Sequence, residues 1–206
     1  MMRIGIYGGT FDPPHNGHVS ALKAFTEQFD FDKIFIIPVL IPPHKSRKST
    51  VSAEDRLNMS DLAFKNLSKI IEISDLEINR QGKSYTADTI REIKNMGYDD
   101  IYFLCGTDML LTLDSWYMPE YIFANATIVY ARRECDERLD IEISEKIQNY
   151  QAKFNAKIIP LKTQIIEISS SEIRESLDTE SRNRYLPSEV ADYIINHGLY
   201  KDVSTI

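Results

Sequence analysis

The start of the chain combines an apolar run, a turn of glycines, prolines and histidines, and an amphipathic segment, in that order. Residues 3–7 (RIGIY) predict a buried β-strand, and Val19–Phe29 carries apolar residues at helical spacing. Residues 8–18 between them read GGTFDPPHNGH, which is typical of a strand-to-helix turn. A strand that passes directly into a helix is the first half of a βαβ unit, so this opening favours an α/β fold.

The rest of the chain continues the alternation of strands and helices. Helix-like runs separate strand-like runs at residues 33–39, 70–73, 100–104, 127–131 and 157–161. Ser52–Asp55 resembles a capping box that starts a helix running to about Leu67, and Thr86 is a candidate cap for a helix that ends near Gly97. We therefore predict a Rossmann-like, doubly wound parallel sheet.

Size and composition favour a single domain, residues 1–206, because 206 residues with 43% hydrophobic side chains can bury one full core. The part from about residue 165 to 206 is predicted to be a small helical C-terminal piece of that domain. It begins with a strand and a short helix, and it ends with a final helix at Pro187–His197 that Gly198 stops.

Charge and cysteine content limit the binding partners and the cellular compartment that we expect. The formal net charge of −7 argues against binding to nucleic acid or to an anionic membrane, so any phosphate site has to be locally basic. Cys105 and Cys135 lack metal-ligand or disulfide spacing, and no apolar run approaches the length of a membrane span. We therefore expect a cytoplasmic protein. The sequence leaves the oligomeric state open, a homo-oligomer included.

The first turn has the properties of a phosphate site. A strand-to-helix turn presents backbone N–H groups and the positive end of a helix dipole at one place. His15 and His18 are three residues apart where the helix begins, so they can project from the same side and add two imidazole donors. The alternative is a tight connection without chemistry. Neither a G-x-G-x-x-G fingerprint nor a P-loop is present.

The same residues resemble the G-T-F-D-P-x-H-x-G-H signature of the nucleotidyltransferase superfamily whose hallmark is H-x-G-H. The resemblance implies transfer of a nucleotidyl group from ATP or CTP to a phosphorylated acceptor. It also implies that ATP is bound at Gly8, Gly9, Thr10, Phe11, His15 and His18. His18 is assigned to the α-phosphate in the transition state, and His15 with Thr10 to phosphate binding.

A second candidate phosphate site is Ile168–Arg174 (ISSSEIR). Taken alone it reads as a capping box in which Ser169 bonds to the N–H of Glu172. It also resembles the I-S-S-T-x-I-R signature near the C-terminus of the same superfamily, with serine where threonine is usual. That resemblance implies that ATP is bound at Ile168, Ser170, Ser171 and Arg174, where the hydroxyls and the arginine hold its phosphates. An arginine can bind a phosphate through two parallel hydrogen bonds.

The middle of the chain indicates the acceptor. Residues 38–45 (PVLIPPHK), 84–89 (SYTADT), 103–108 (FLCGTD) and 116–117 (WY) are similar to segments of the nicotinate mononucleotide adenylyltransferases. This resemblance covers nearly the whole chain. It implies nucleotide binding at Gly106 and Asp108, where the carboxylate meets a ribose hydroxyl, and acceptor binding at His44, Lys45, Tyr85, Thr86, Trp116 and Tyr117.

Within that resemblance each acceptor residue has an expected role. Trp116 stacks on the pyridinium ring, and the backbone N–H groups of Thr86 and Tyr117 meet the carboxylate. Donors of this kind favour nicotinate over nicotinamide, because an amide NH₂ would face N–H groups. His44 and Lys45 either meet phosphate or are solvated loop charges, and Tyr85 is a candidate pocket wall.

Several alternatives remain at this point. The usual R-P-G after the fifth strand is replaced by Arg132-Arg133-Glu134-Cys135, which leaves open whether either arginine approaches the nucleotide. We expect Mg²⁺ to accompany ATP, held by phosphate oxygens and water rather than by a protein-only cage. Rival interpretations are transfer to phosphopantetheine or another small phosphorylated acceptor, and a non-catalytic nucleotide sensor.

Overall fold

The computed structural model describes residues 2–41, 51–80, 82–132, 136–163, 167–175 and 184–200. Its strands are β1 (Arg3–Gly9), β2 (Lys33–Pro38), β3 (Ile71–Ile73), β4 (Asp100–Gly106), β5 (Thr127–Ala131) and β6 (Ile158–Pro160). Its α-helices are α1 (Asn16–Gln28), α2 (Ala53–Phe64), α3 (Leu76–Arg80), α4 (Thr86–Asn95), α5 (Thr107–Thr112), α6 (Pro119–Asn125), α7 (Glu137–Phe154), α8 (Ser170–Glu175) and α9 (Ser188–Asn196). No helix within these ranges has the length and apolarity that crossing a bilayer requires.

The six strands form one sheet in the order β3-β2-β1-β4-β5-β6, and all neighbouring pairs run parallel. The chain winds outward from β1 in one direction and from β4 in the other, so the strand order reverses between these two central strands. In open parallel sheets the crevice beyond the C-terminal ends of such strands is the usual ligand site. Here β1 ends at Gly9 and β4 at Gly106.

Two apolar clusters cover the faces of the sheet, as parallel strands require. One cluster combines buried side chains of α1, α2, α8 and α9, among them Phe25, Met59, Ile173 and Val190. The other combines buried side chains of α4, α5, α6 and α7. The predicted doubly wound parallel fold is therefore confirmed.

The ends of several elements differ from the sequence-based expectation. α1 begins at Asn16, so Gly17 and His18 are helical, whereas Gly8 and Gly9 belong to β1. Tyr85, not Thr86, precedes α4, because the N–H groups of residues 88 and 89 both donate to the Tyr85 carbonyl.

Other ends agree with the sequence. Ser52 caps α2 by accepting a hydrogen bond from the N–H of Asp55 at 3.0 Å, and a 3₁₀ turn continues the chain from α2 to Leu67. The final helix, α9, ends before Gly198, whose φ of 63° suits glycine. The strand expected before Ser169 lies partly outside the described residues, and residues 167–169 are not in a strand.

Candidate active site beyond β1 and β4

A cleft of about 430 Å³, open to solvent, lies at the C-terminal ends of β1 and β4. Its wall includes His15, Gly17, His18, Gly106, Arg132 and Ile168. The cleft therefore combines the first turn, the end of β4 and the segment before α8. These regions are far apart in sequence and meet only because the sheet order places β1 beside β4.

The two histidines form a closely packed pair at the start of α1. Their ring centroids are 3.7 Å apart, and both side chains are buried, with His15 3% and His18 9% exposed. The backbone N–H of His15 donates to Nδ1 of His18 at 3.2 Å. Because Nδ1 accepts this bond, neutral His18 carries its proton on Nε2, which makes that atom a hydrogen-bond donor.

Gly17 is the residue that permits this pairing. A Cβ atom at Gly17 would lie 3.0 Å from two atoms of the His15 ring and 3.4 Å from the side chain of Ile168. Any larger residue would therefore press on the imidazole from the helix side. The glycine between the histidines is explained by this close approach as well as by its place in the motif.

The loop between β1 and α1 is held through its backbone carbonyl groups. Arg56, on α2, donates to the carbonyl of Thr10 at 3.0 Å, and Arg174, on α8, donates to the carbonyl of Asp12 at 2.5 Å. The Ser170 hydroxyl donates to the carbonyl of Pro13 at 2.9 Å. Buried carbonyls outside regular structure need such partners, so these side chains fix the loop that precedes His15.

Phe11 adds a second constraint on the loop. Its side chain is 1% exposed, its φ is 47°, and its ring makes a T-shaped contact with His18 at a centroid distance of 5.2 Å. A phenylalanine in the left-handed region is strained, so the surrounding contacts must hold it there. The position of Phe11 is thus coupled directly to that of the second imidazole.

The ISSSEIR segment forms the capping box that its sequence allowed, and its phosphate role stays a prediction. Ser169 and Glu172 form a capping box, in which the Glu172 N–H donates to the Ser169 hydroxyl at 3.2 Å and the Ser169 N–H donates to the Glu172 carboxylate at 2.7 Å. Arg174 donates to the Ser171 hydroxyl at 3.0 Å. With one bond to Asp12 and one to Ser171, its guanidinium keeps further N–H groups for a ligand.

Two other charged groups lie at the same end of the sheet. Arg132 lines the cleft and pairs with Asp140, whereas Arg133 and Cys135 lie outside the described residues. Of the two arginines in question, Arg132 is therefore the one whose position at the cleft is described. Asp108 lies in the first turn of α5 and is exposed, next to Gly106 at the end of β4.

The aromatic residues expected at the acceptor lie on the α4–α6 side of the sheet. The rings of Tyr85 and Tyr117 are 4.6 Å apart, which packs the Trp116–Tyr117 segment against the start of α4. The half-buried Trp116 meets Phe103 edge-on at 6.4 Å. The Phe103 ring in turn lies beside Gly8 in β1. The histidine pair on one face of the sheet and these aromatic residues on the other thus flank the C-terminal ends of β1 and β4.

The structure therefore brings together the histidine pair, Gly106 and Ile168 in the cleft wall. Ser170 and Arg174, on α8, bond to the adjoining loop. His44 and Lys45 lie outside the described residues. The sequence did not predict the roles of Asp12, Arg56 and Tyr200. Arg56 bonds to the carbonyl of Thr10, and the hydroxyl of Tyr200 bonds to the carboxylate of Asp12. The only signal for Asp12 was its place inside the motif.

The donor set of the cleft suits anions rather than a metal ion. Within the described ranges, no group of three or more histidine, cysteine, aspartate or glutamate side chains could hold a metal. The cleft instead offers imidazole, guanidinium and the N-terminus of a 13-residue helix. A divalent ion that enters with a nucleotide would be held by the nucleotide's own phosphate oxygens and water.

Known proteins resemble this chain over most of its length. The family model described as cytidylyltransferase-like matches residues 6–176. A probable nicotinate-nucleotide adenylyltransferase of Lachnoclostridium phytofermentans is 36% identical over 97% of this chain and 100% of its own length. The corresponding Listeria monocytogenes protein is 34% identical over 96% of this chain and 97% of its own length.

A solved structure has the same fold. The nicotinic acid mononucleotide adenylyltransferase of Plasmodium falciparum, complexed with NaAD, has a TM-score of 0.75 at 23% identity and covers 97% of this chain and 98% of its own. The likeness supports the assignment of the sheet and its connections, since at this identity it concerns the fold alone.

Replacement of Arg56 tests how the loop is held. Burial lowers the pKa of Arg56, and the nearby negative charge of Asp12 acts in the opposite direction. The guanidinium therefore remains a buried cation, and it bonds to the carbonyls of Thr10 and Val39. We expect Arg56→Met to lower the free energy of unfolding by about 3–5 kcal/mol, because it leaves the carbonyls of Thr10 and Val39 without their donor and removes one of the two guanidinium groups near Asp12. Urea unfolding measures this change.

The matched control is Arg138→Met, because the side chain of Arg138 is 96% exposed on α7. This control should change the unfolding free energy little. A loss for Arg56→Met no larger than that of the control would contradict the account of the loop.

Proposed function

The chain belongs to the cytidylyltransferase-like family and to its nicotinate-nucleotide adenylyltransferases, and from this premise we propose that it transfers AMP from ATP to nicotinate mononucleotide. The products are nicotinate adenine dinucleotide and pyrophosphate. The observation that carries the proposal is the pair of His15 and His18, packed at the start of α1 in a cleft where the strand order reverses. We further propose Mg²⁺ as the ion that accompanies ATP and the cytoplasm as the setting.

The triphosphate is assigned to the α1 side of the cleft. The α-phosphate lies at the N-terminus of α1, where Nε2 of His18 donates to it and His15 with Thr10 binds neighbouring phosphate oxygens. Ser170, Ser171 and Arg174 bind the β- and γ-phosphates, and the unused N–H groups of Arg174 make this compatible with its bond to Asp12. Gly106 and Asp108, at the end of β4, meet the ribose, and Ile168 packs on the nucleoside.

The acceptor is assigned to the α4–α6 side. Trp116 stacks on the pyridinium ring, and the Tyr85–Tyr117 pair forms the adjoining wall. Thr86 is the first residue of α4, where a backbone N–H has no acceptor inside its own helix, which supports a contact with the nicotinate carboxylate. His44 and Lys45 are assigned to the phosphate groups on the strength of the sequence alone.

The reaction needs positioning and charge stabilisation rather than a general base. The 5′-phosphate of the acceptor has a second pKa of about 6, so it is largely dianionic at neutral pH. One of its oxygens attacks the α-phosphorus of ATP, and the bond to the bridging oxygen breaks as pyrophosphate leaves. His18 stabilises the charge on the transferred group, and Arg174 stabilises the leaving pyrophosphate. Mg²⁺ bound to phosphate oxygens supplies further neutralisation.

One assay tests the function. Pyrophosphate release from ATP is compared with nicotinate mononucleotide, nicotinamide mononucleotide and phosphopantetheine as acceptors. We expect the fastest release with the nicotinate nucleotide, because backbone donors pair with a carboxylate but not with an amide NH₂. Preference for the amide contradicts the acceptor assignment, and preference for phosphopantetheine assigns the chain to another reaction. No release with any acceptor indicates a nucleotide sensor.

Replacement of His18 tests its role in the transition state. We expect His18→Ala to lower kcat by about two to four orders of magnitude, because a donor aimed at developing charge is lost, while ATP still binds. Steady-state kinetics and ATP titration separate these effects. The control His197→Ala removes an exposed histidine that stacks on Tyr193 and should keep the wild-type kcat. Near-wild-type kcat in purified His18→Ala would remove this residue from the chemistry.

A further inference from the structure

A buried hydrogen bond joins the C-terminal end of the described chain to the first loop. The hydroxyl of Tyr200 donates to Oδ1 of Asp12 at 2.7 Å, across 188 residues of sequence. Asp12 is 5% exposed and Tyr200 is 7% exposed. Burying a carboxylate costs free energy even when it accepts a hydrogen bond. Neither residue has a role in the chemistry described above.

Asp12 is the side chain around which the loop is organised. Its own carbonyl accepts from Arg174, its carboxylate lies 3.9 Å from the same guanidinium, and Arg56 acts on it electrostatically. The neighbouring carbonyls are bound by Arg56 on one side and by Ser170 on the other. A change in the position of the Asp12 carboxylate therefore alters the interactions of both Arg174 and Arg56 with the loop.

The path of the chain to Tyr200 is specific. After α9, the Leu199 N–H donates to the carbonyl of Ile194 at 3.0 Å, and Gly198 and Tyr200 both have a φ of 63°. Glycine adopts this conformation without strain, but tyrosine does not. The bond to Asp12 offsets that strain. Burial together with the Asp12 charge raises the pKa of Tyr200, so the phenol stays a donor at neutral pH.

We propose that Tyr200 is a positioning residue for adenylyl transfer: its hydroxyl holds the Asp12 carboxylate and thereby fixes the loop that leads into His15 and His18 at the start of α1. The inference rests on the proposed function. Its link to the chemistry is Phe11, the strained neighbour of Asp12, whose ring makes a T-shaped contact with His18. If the Asp12 side chain is released, Phe11 can relax, and the imidazole that contacts its ring then shifts.

The variant Tyr200→Phe tests the proposal, because it keeps the buried ring and removes only the hydroxyl. We expect kcat to fall by about 10- to 100-fold, the effect of misplacing catalytic groups by a fraction of an ångström to one ångström. The dissociation constant for ATP should change by a smaller factor than kcat, since the variant removes none of the groups that bind phosphate. A role in packing alone predicts wild-type kcat per folded molecule.

Tyr193→Phe is the matched control. The Tyr193 hydroxyl also bonds to an aspartate, Asp55 at 3.1 Å, but it lies on α9 outside the loop and the cleft. This variant should keep the wild-type kcat.

A double-mutant cycle tests whether Tyr200 acts through Asp12. It compares the kcat of Asp12→Asn with that of the double variant Asp12→Asn, Tyr200→Phe. If Tyr200 acts through Asp12, the double variant is no slower than Asp12→Asn. Fully additive losses would overturn the proposal.

A readout independent of turnover separates this inference from the proposed function. Amide hydrogen exchange of residues 11–18 should accelerate in Tyr200→Phe and stay unchanged in Tyr193→Phe. If the wild-type protein releases no pyrophosphate but the exchange difference is present, the proposed function fails and the hold on the loop stands. If the wild type is active and Tyr200→Phe matches it in kcat and in exchange, the positioning role is wrong and the function stands.

Discussion

The first loop contains backbone carbonyl groups that neither the sheet nor a helix can satisfy, and the architecture around the cleft is organised to satisfy them. Thr10, Asp12 and Pro13 turn their carbonyls toward side chains of α2 and α8. These helices reach the loop because they share the sheet face that α1 also covers. The loop can therefore direct backbone donors and two imidazoles toward a ligand only while distant parts of the chain are folded around it.

The charge distribution follows the same logic. A chain with a formal net charge of −7 cannot attract a nucleotide through its overall field, so the cations have to be concentrated where phosphate binds. Arg132 lines the cleft, Arg174 on α8 bonds to the loop beside it, and Arg56 is buried beneath that loop. Arg174 both holds the loop and offers further donors. In the proposed function, loop geometry and phosphate binding are thereby coupled through one side chain.

Much of the fold could be predicted because its signals are local. The run RIGIY, the turn residues and the helical spacing after them specify β1 and α1 within a few residues, and the alternation of runs predicts the parallel sheet. The start of α1 was placed too late, because Gly17 has a low helix propensity and its role in admitting the His15 ring is a packing effect.

The supporting contacts could not be predicted in the same way. Arg56 lies 46 residues from Thr10 and Tyr200 lies 188 residues from Asp12, so no periodicity or spacing relates them. An arginine in an amphipathic helix reads as a solvated charge, and a tyrosine after a helix-ending glycine reads as a chain end. The motifs predicted residues that face a ligand, whereas the residues that hold those motifs in place became visible only in the fold.

The central claim is that the paired imidazoles at the start of α1 receive the α-phosphate of ATP. A crystal structure of the protein with an ATP analogue whose α–β bridging oxygen is replaced by carbon tests it most directly. The account predicts an α-phosphate oxygen about 3 Å from Nε2 of His18, with Arg174 on the β- or γ-phosphate. A triphosphate bound away from both histidines would contradict it.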